Sequence, residues 1–171
     1  AQKVKVTTAY NALNSYNKDK DPADLQKAKT NIDEASVHAD TKDDAKTWFY
    51  RGNTYLALYQ ADFNAKMAAH KDETNANKKS AMAYVEAPTI NLSEATSSYL
   101  KAKALDKYEV YDGIGKGLAD CYFYTQNVGI ANYNQEKYAE AYPMFDLAMS
   151  ISAANGITDT QNINNAAVSA L

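Results

Sequence analysis

The 171 residues contain one cysteine, two histidines, three prolines and six glycines. A lone thiol, Cys121, cannot close an internal disulfide or build a zinc site, and on a helix it reads as a small buried hydrophobe. His38 and His70 lie far apart in sequence, and neither belongs to a metal-spaced motif such as H-E-x-x-H. His38 falls in the last turn of a helix, where an imidazolium favours the negative end of the dipole. Few prolines and glycines beside abundant alanine favour helix over sheet. No apolar run approaches the ~18–20 residues that cross a bilayer, so the chain does not span a membrane. An excess of positive charge is also missing. Eighteen Lys and Arg against 21 Asp and Glu leave a net charge of −3, the wrong sign for a phosphate backbone, so no nucleic acid is expected.

Catalytic signatures are absent as well. No G-x-S-x-G nucleophile motif occurs. The carboxylate pairs Asp33-Glu34, Asp43-Asp44 and Asp72-Glu73 are adjacent, and neighbouring helical residues diverge rather than converge on one point. Half of the glycines sit in Gly113-Ile114-Gly115-Lys116-Gly117. Leu118 stands where a dinucleotide fingerprint needs glycine, and no Ser or Thr follows a Gly-Lys. The run therefore reads as a hinge or a close approach of two helices. No catalytic residue, metal-ligand set or cofactor site is expected. What remains is an ordinary globular composition, 46% hydrophobic and 23% charged, in one compact all-α domain or array.

Helix starts are signposted. Asp21-Pro22 offers an N-cap acceptor and a proline at the first helical position. Thr41 with Asp44, and Asn91 with Glu94, have capping-box spacing. These predict helices over about 22–38, 42–70 and 92–106. Between the last two, His70 to Lys79 is polar and without period, and a short helical piece is expected from Ser80 to Glu86. About thirty residues, 60–90, thus read as an insertion that is functional or mobile. Pro143 lies inside a predicted helix, where a bend is expected. Asn155-Gly156 reads as a stop.

One spacing of small and aromatic residues recurs. Trp48, Gly52 and Tyr55 stand four and three apart, as do Ala95, Tyr99 and Ala102. Gly129 is followed at twelve residues by Ala141, then by Phe145 and Ala148. Ala9, Ala12, Leu13 and Tyr16 with Ala28, Ile32 and Ala35 form a divergent copy, its connecting turn at 17–20 about three residues too long. The pattern resembles the tetratricopeptide repeat (TPR), W-x2-L-G-x2-Y on one helix and A-x3-F-x2-A on the next. The resemblance implies a TPR-like right-handed superhelical stack of antiparallel helix pairs, about three pairs plus a terminal helix. One array over 1–171 would hold repeats at about 3–38, 41–106 with the insertion, and 109–153, then a terminal helix at about 158–171.

The resemblance also implies a function. TPR stacks mostly bind proteins or peptides on the concave face lined by their first helices. Carried onto this chain, the groove positions are Lys46, Phe49, Asn53 and Leu56, then Phe123, Gln126, Ile130 and Tyr133. Asn53 and Asn127 match two positions of the carboxylate-clamping TPR subfamily. Phe49 stands where that clamp has lysine, and no Lys–Arg pair follows. The expectation is a non-catalytic protein- or peptide-binding scaffold, similar to exported bacterial TPR proteins of the cell envelope. Ala1-Gln2 without methionine fits a mature, exported or periplasmic protein after signal-peptide removal, or an N-terminus trimmed by design. An alternative comes from the fourteen tyrosines, crowded in the second half: an exported helical-repeat protein that binds a glycan or small ligand. The final helix carries Ile163, Ala167 and Ala170 on an apolar stripe and Asn162, Asn165 and Ser169 on a polar side. Ala166, Val168 and Leu171 leave further apolar surface, so either this helix caps the array or the chain covers its end by self-association or in a longer array.

Overall fold

Alanine-rich, proline-poor sequence gives helix almost throughout. The computed structural model describes residues 2–109 and 111–170; Ala1, Val110 and Leu171 lie outside the described residues, and of these Ala1 and Leu171 carried sequence expectations. Eight helices and no strand occur among the described residues. They run α1 Gln2–Asp19, α2 Pro22–Val37, α3 Ala45–Ala69, α4 Ala76–Glu86, α5 Ile90–Leu105, α6 Gly113–Tyr133, α7 Tyr138–Ala154 and α8 Thr160–Ser169. The fold is all-α, as composition and period imply. The helices form two compact units, one of residues 1–58 with 94–118, the other of 59–93 with 119–171.

In the first unit, α1 and α2 pack through Ala9, Ala12 and Leu13 and through Leu25, Ala28, Ile32 and Ala35, all buried. The long turn expected at 17–20 is not there. α1 continues to Asp19, and Lys20 closes it in the left-handed region at φ 58°, its N–H donating to the Tyr16 carbonyl at 2.8 Å. Asp21 caps α2 as its sequence implies, accepting from the Ala23 amide at 2.9 Å with Pro22 at the first position.

The two capping boxes are corrected. Thr41 turns back, its hydroxyl donating to the Ala35 carbonyl at 2.6 Å, while Asp44 accepts from the Lys46 amide and α3 starts at Ala45. α5 already starts at Ile90; the Asn91 amide donates to Asp62 at 3.2 Å, and Glu94 pairs with Arg51 at 2.7 Å. Thr41, Asn91 and Glu94 thus bond to other helices, and only Asp44 caps the helix it precedes.

Small residues let the rings in. A Cβ on Gly52 would stand 2.7 Å from the Tyr99 ring, and one on Gly117 would stand 2.3 Å from it. The glycine run is thus a close approach rather than a hinge: Gly113 opens α6, and a Cβ there would meet Phe49 at 2.6 Å. Only Gly115 of the three faces open space. The second unit repeats the device: a Cβ on Gly129 of α6 would stand 2.6 Å from the Phe145 ring of α7. Ala141, Phe145 and Ala148 are buried there, as is Cys121.

The insertion is not a loop. α3 runs unbroken to Ala69, and α4 begins at Ala76, four residues before the sequence suggests. In the short turn between them, Glu73 accepts from the Asn75 amide at 2.9 Å and pairs with Lys78 at 2.8 Å. Asn75 caps α4 by accepting from the Lys78 amide. His70 Nε2 meets Glu86 at 2.9 Å across the base of the hairpin. His38 is the C-cap of α2, and its Nδ1 accepts from the Asp40 amide at 3.2 Å.

α7 passes through Pro143 without interruption, and the ring is exposed. α8 docks on α7 with an unexpected face. Asn162, Ala166 and Ser169 are the buried residues, whereas Ile163, Ala167 and Ala170 are exposed. The polar side assigned from sequence is therefore the inner one. Asp159 takes up the donors of that side, accepting from the backbone amide and the side chain of Asn162 at 3.1 and 2.8 Å, while Asn162 Oδ1 is left without a partner.

Candidate functional site

In the first unit the proposed groove positions on α3 serve packing. Leu56 is only 6% exposed, a core residue. Asn53 Oδ1 accepts the Tyr99 hydroxyl at 2.6 Å, which ties α3 to α5. Phe49 sits among Tyr50, Tyr99 and Tyr111, with centroids 5.3, 6.4 and 5.6 Å away. Lys46 is half-buried over the Tyr50 ring and borders a cavity of about 270 Å³ with Lys3, Val6, Thr7 and Asp44. Leu56 is thereby a core residue, while Asn53 and Phe49 make helix contacts and stay half-buried.

Beside them lies a charged network. Arg51, its side chain 13% exposed, reaches Asp33 at 3.2 Å, the Ser98 hydroxyl at 2.8 Å and Glu94 at 2.7 Å. The Tyr55 hydroxyl donates to Asp33 at 2.8 Å, and Lys29 pairs with the same carboxylate at 2.8 Å. Burial, then the Asp33 hydrogen bond, push the Tyr55 hydroxyl above its usual range. Asp33 raises Lys29 chiefly through their hydrogen bond. These groups join α2, α3 and α5 and have their partners, so the network is structural.

The second unit is different. On α6, Phe123 is 55% and Ile130 41% exposed, and Gln126 is half-buried. Tyr133 is drawn into the α7–α8 core, against Tyr138 at 5.3 Å and the Ala141, Phe145 and Ala166 cluster. Phe123, Asn127, Ile130 and Asn134 follow at four, three and four residues, one stripe of the helix. α4 faces it with Asn77, Ser80, Ala81 and Tyr84, also one stripe. With Ala131, all of these except Phe123 border a groove of about 380 Å³. No Asp, Glu, Lys, Arg or His borders it.

Local structure sets the groove's chemistry. Asn127 donates through Nδ2 to the Phe123 carbonyl at 2.7 Å, which leaves its oxygen to accept from a ligand. Ser80 donates to the Ala76 carbonyl at 2.9 Å and likewise keeps acceptor capacity. One face of Tyr84 is stacked on Phe63 at 4.7 Å, within a cluster that includes Tyr59 and Tyr124. Burial, with Tyr124 nearby, pushes the Tyr84 hydroxyl up, so it stays a neutral donor. Tyr59 is fully buried with no hydrogen-bond partner for its hydroxyl, and burial raises it strongly. Sequence reading placed a helical piece over Ser80 to Glu86 but missed the first turn of α4, because Asn75 to Lys79 carries no apolar period. The available signal was Asn75 itself, a good cap residue placed three before Lys78.

A second polar cluster surrounds Asp159, whose Oδ2 accepts from the Tyr122 hydroxyl at 2.9 Å, Ser152 at 3.0 Å and Asn162 at 2.8 Å. Burial alone would raise Asp159, but these donors and the Asn162 amide outweigh it and hold the carboxyl below its usual range. This is a half-buried cap for α8. Among the described residues no group of three or more His, Cys, Asp or Glu is arranged to hold a metal, and no helix is long and apolar enough to cross a membrane. Comparison with known proteins returns no match, whether to a family model, a curated protein or a solved structure.

Proposed function

We propose that this chain is a non-catalytic protein-interaction scaffold of the TPR type, a right-handed stack of helix pairs that recognises a protein or peptide in the bacterial cell envelope. One observation carries the reading. In each unit the glycine of the first-helix pattern lies under the central ring of the second-helix pattern, Gly52 under Tyr99 and Gly129 under Phe145. The spacing that suggested the repeat is thus realised twice as the same contact. Scaffolds of this kind bind through the exposed faces of their first helices, and Phe123 and Ile130 supply such a face on α6. The outward stripe Ile163, Ala167 and Ala170 of α8 supports self-association as a second property, which sedimentation at micromolar concentration would show as a concentration-dependent mass.

Crosslinked capture from envelope extract tests the function. A defined protein should be retained by the native chain and lost when Phe123→Ala is combined with Ile130→Lys. Retention unaffected by that pair but abolished by Glu140→Lys on the outer side of α7 would refute it. Binding on a glycan array without any retained protein would favour a glycan-binding role instead.

A further inference from the structure

We infer that the groove between α4 and α6 seats an extended peptide segment that carries no charge over the residues it buries; this rests on the scaffold reading above. The groove's border holds three asparagines, a serine and a tyrosine but no ionised side chain. A charged occupant would lose its hydration there without gaining a counter-charge. An extended peptide backbone matches the donors and acceptors present. Each residue offers one N–H and one C=O, and asparagine amides accept from the first and donate to the second. Asn127, with its nitrogen already committed to Phe123, presents an oxygen for a peptide N–H.

Dimensions agree. From Asn127 to Tyr133 at the end of α6, and from Asn77 to Tyr84, the helices rise about 9 and about 10 Å, the reach of about three residues in extended conformation. Ala81, Ala131 and Ile130 form the apolar part of the border for one small side chain. Phe123, one turn before Asn127 and 55% exposed, adds a ring contact for a neighbouring residue. A pyranose would stack on an open aromatic face. Here Phe63 already covers one face of Tyr84, and Phe123 lies outside the groove border.

The test uses the full chain and a panel of fluorescent heptapeptides. Their central three positions are drawn from Ala, Asn, Gln, Ser, Thr, Leu, Val and Tyr, or hold one Glu or Lys. Fluorescence anisotropy should show binding confined to the uncharged set. Ile130→Lys and Asn134→Asp, at exposed positions, should each weaken it about tenfold or more, roughly 1.4 kcal/mol, with an unchanged melting temperature. Ile130→Lys should at the same time gain affinity for the Glu-containing peptides, an effect that loss of structure cannot mimic. Peptides that bind regardless of these substitutions, or that need a central charge, overturn the inference while leaving the scaffold reading standing. If no peptide binds, the inference is wrong, and the scaffold reading is judged by the envelope capture. If oligosaccharides bind instead and Ile130→Lys abolishes it, both are wrong.

Discussion

Three alternating glycines at the start of α6 provide a test in which the same substitution should change sign along five residues. Glycine to alanine inside a helix ordinarily gains about 0.5–1 kcal/mol in backbone entropy. At Gly115, where nothing lies within 4 Å of an added Cβ, that gain should appear almost whole. At Gly117 the new atom would stand 2.3 Å from Cζ of Tyr99. That ring is 1% exposed, has Gly52 against its other atoms, and is anchored by its hydroxyl on Asn53 at 2.6 Å. To move, it must leave its rotamer, at about 0.5–1.5 kcal/mol, and stretch or lose a hydrogen bond worth about the same. The sum, about 1–3 kcal/mol, matches the usual penalty for overpacking. After the entropy gain, a net loss of about 1–2 kcal/mol remains.

For a chain of this size the melting temperature should fall by about 3–6 °C for Gly117→Ala and rise by about 1–3 °C for Gly115→Ala. Gly113→Ala should lie between them, because Phe49 is half-exposed and can yield. Calorimetry on the three variants would read this directly. Combining Gly117→Ala with Tyr99→Leu should recover about 1 kcal/mol relative to the sum of the single changes, since the clash needs both partners. A Gly117→Ala protein as stable as the native one, or a destabilised Gly115→Ala protein, would refute the packing argument for both helix contacts of Tyr99.

Arg51→Lys should lose about 1–2 kcal/mol, most of what Arg51→Ala loses, because an ammonium cannot reach Asp33, Ser98 and Glu94 together; urea unfolding measures it. Asp159 is held below its usual pKa, so its contribution is fully present above the unfolded value and is lost as pH falls through the lower, folded one. Amide protection of α8 should therefore drop in that acid window, and Asp159→Ala, which also removes the α8 cap, should cost about 1 kcal/mol at neutral pH and abolish the pH dependence. Glu136 sits at φ 59° with an exposed side chain. Glu136→Gly should raise stability by about 0.5–1 kcal/mol, seen as a higher urea midpoint at constant slope.

Where the sequence reading succeeded, the deciding forces were local or steric. Pro22 behind Asp21 marks a helix start because both act on neighbouring backbone. Gly52 and Gly129 mark close contacts because only a missing Cβ admits a ring. It failed where a polar side chain had a distant partner. Thr41 and Asn91 match a capping box by letter, yet their bonds go to Ala35 and Asp62. The face of α8 was misjudged for the same reason. Asn162 and Ser169 look like a solvated side until Asp159 and Tyr122 are brought beside Asn162 and take up its side-chain N–H groups, which lowers the cost of burying it although its Oδ1 stays without a partner.

The eight groove positions show what periodicity leaves undecided. Lys46, Phe49, Asn53 and Leu56 have the spacing of Phe123, Gln126, Ile130 and Tyr133, three, four and three in each set. A helical period assigns both sets to one face with equal weight. In the first unit that face is filled: Gly113 makes room for Phe49, Tyr99 takes up Asn53, and Leu56 enters the core. In the second, Tyr133 is taken into the α7–α8 core, while Phe123 and Ile130 keep 55% and 41% of their surface. The difference comes from neighbours supplied by residues fifty or so positions away, which no window along the chain contains. Exposed apolar surface beside an uncharged amide border, rather than the register alone, is what favours α6 over α3 as the binding helix of the proposed scaffold.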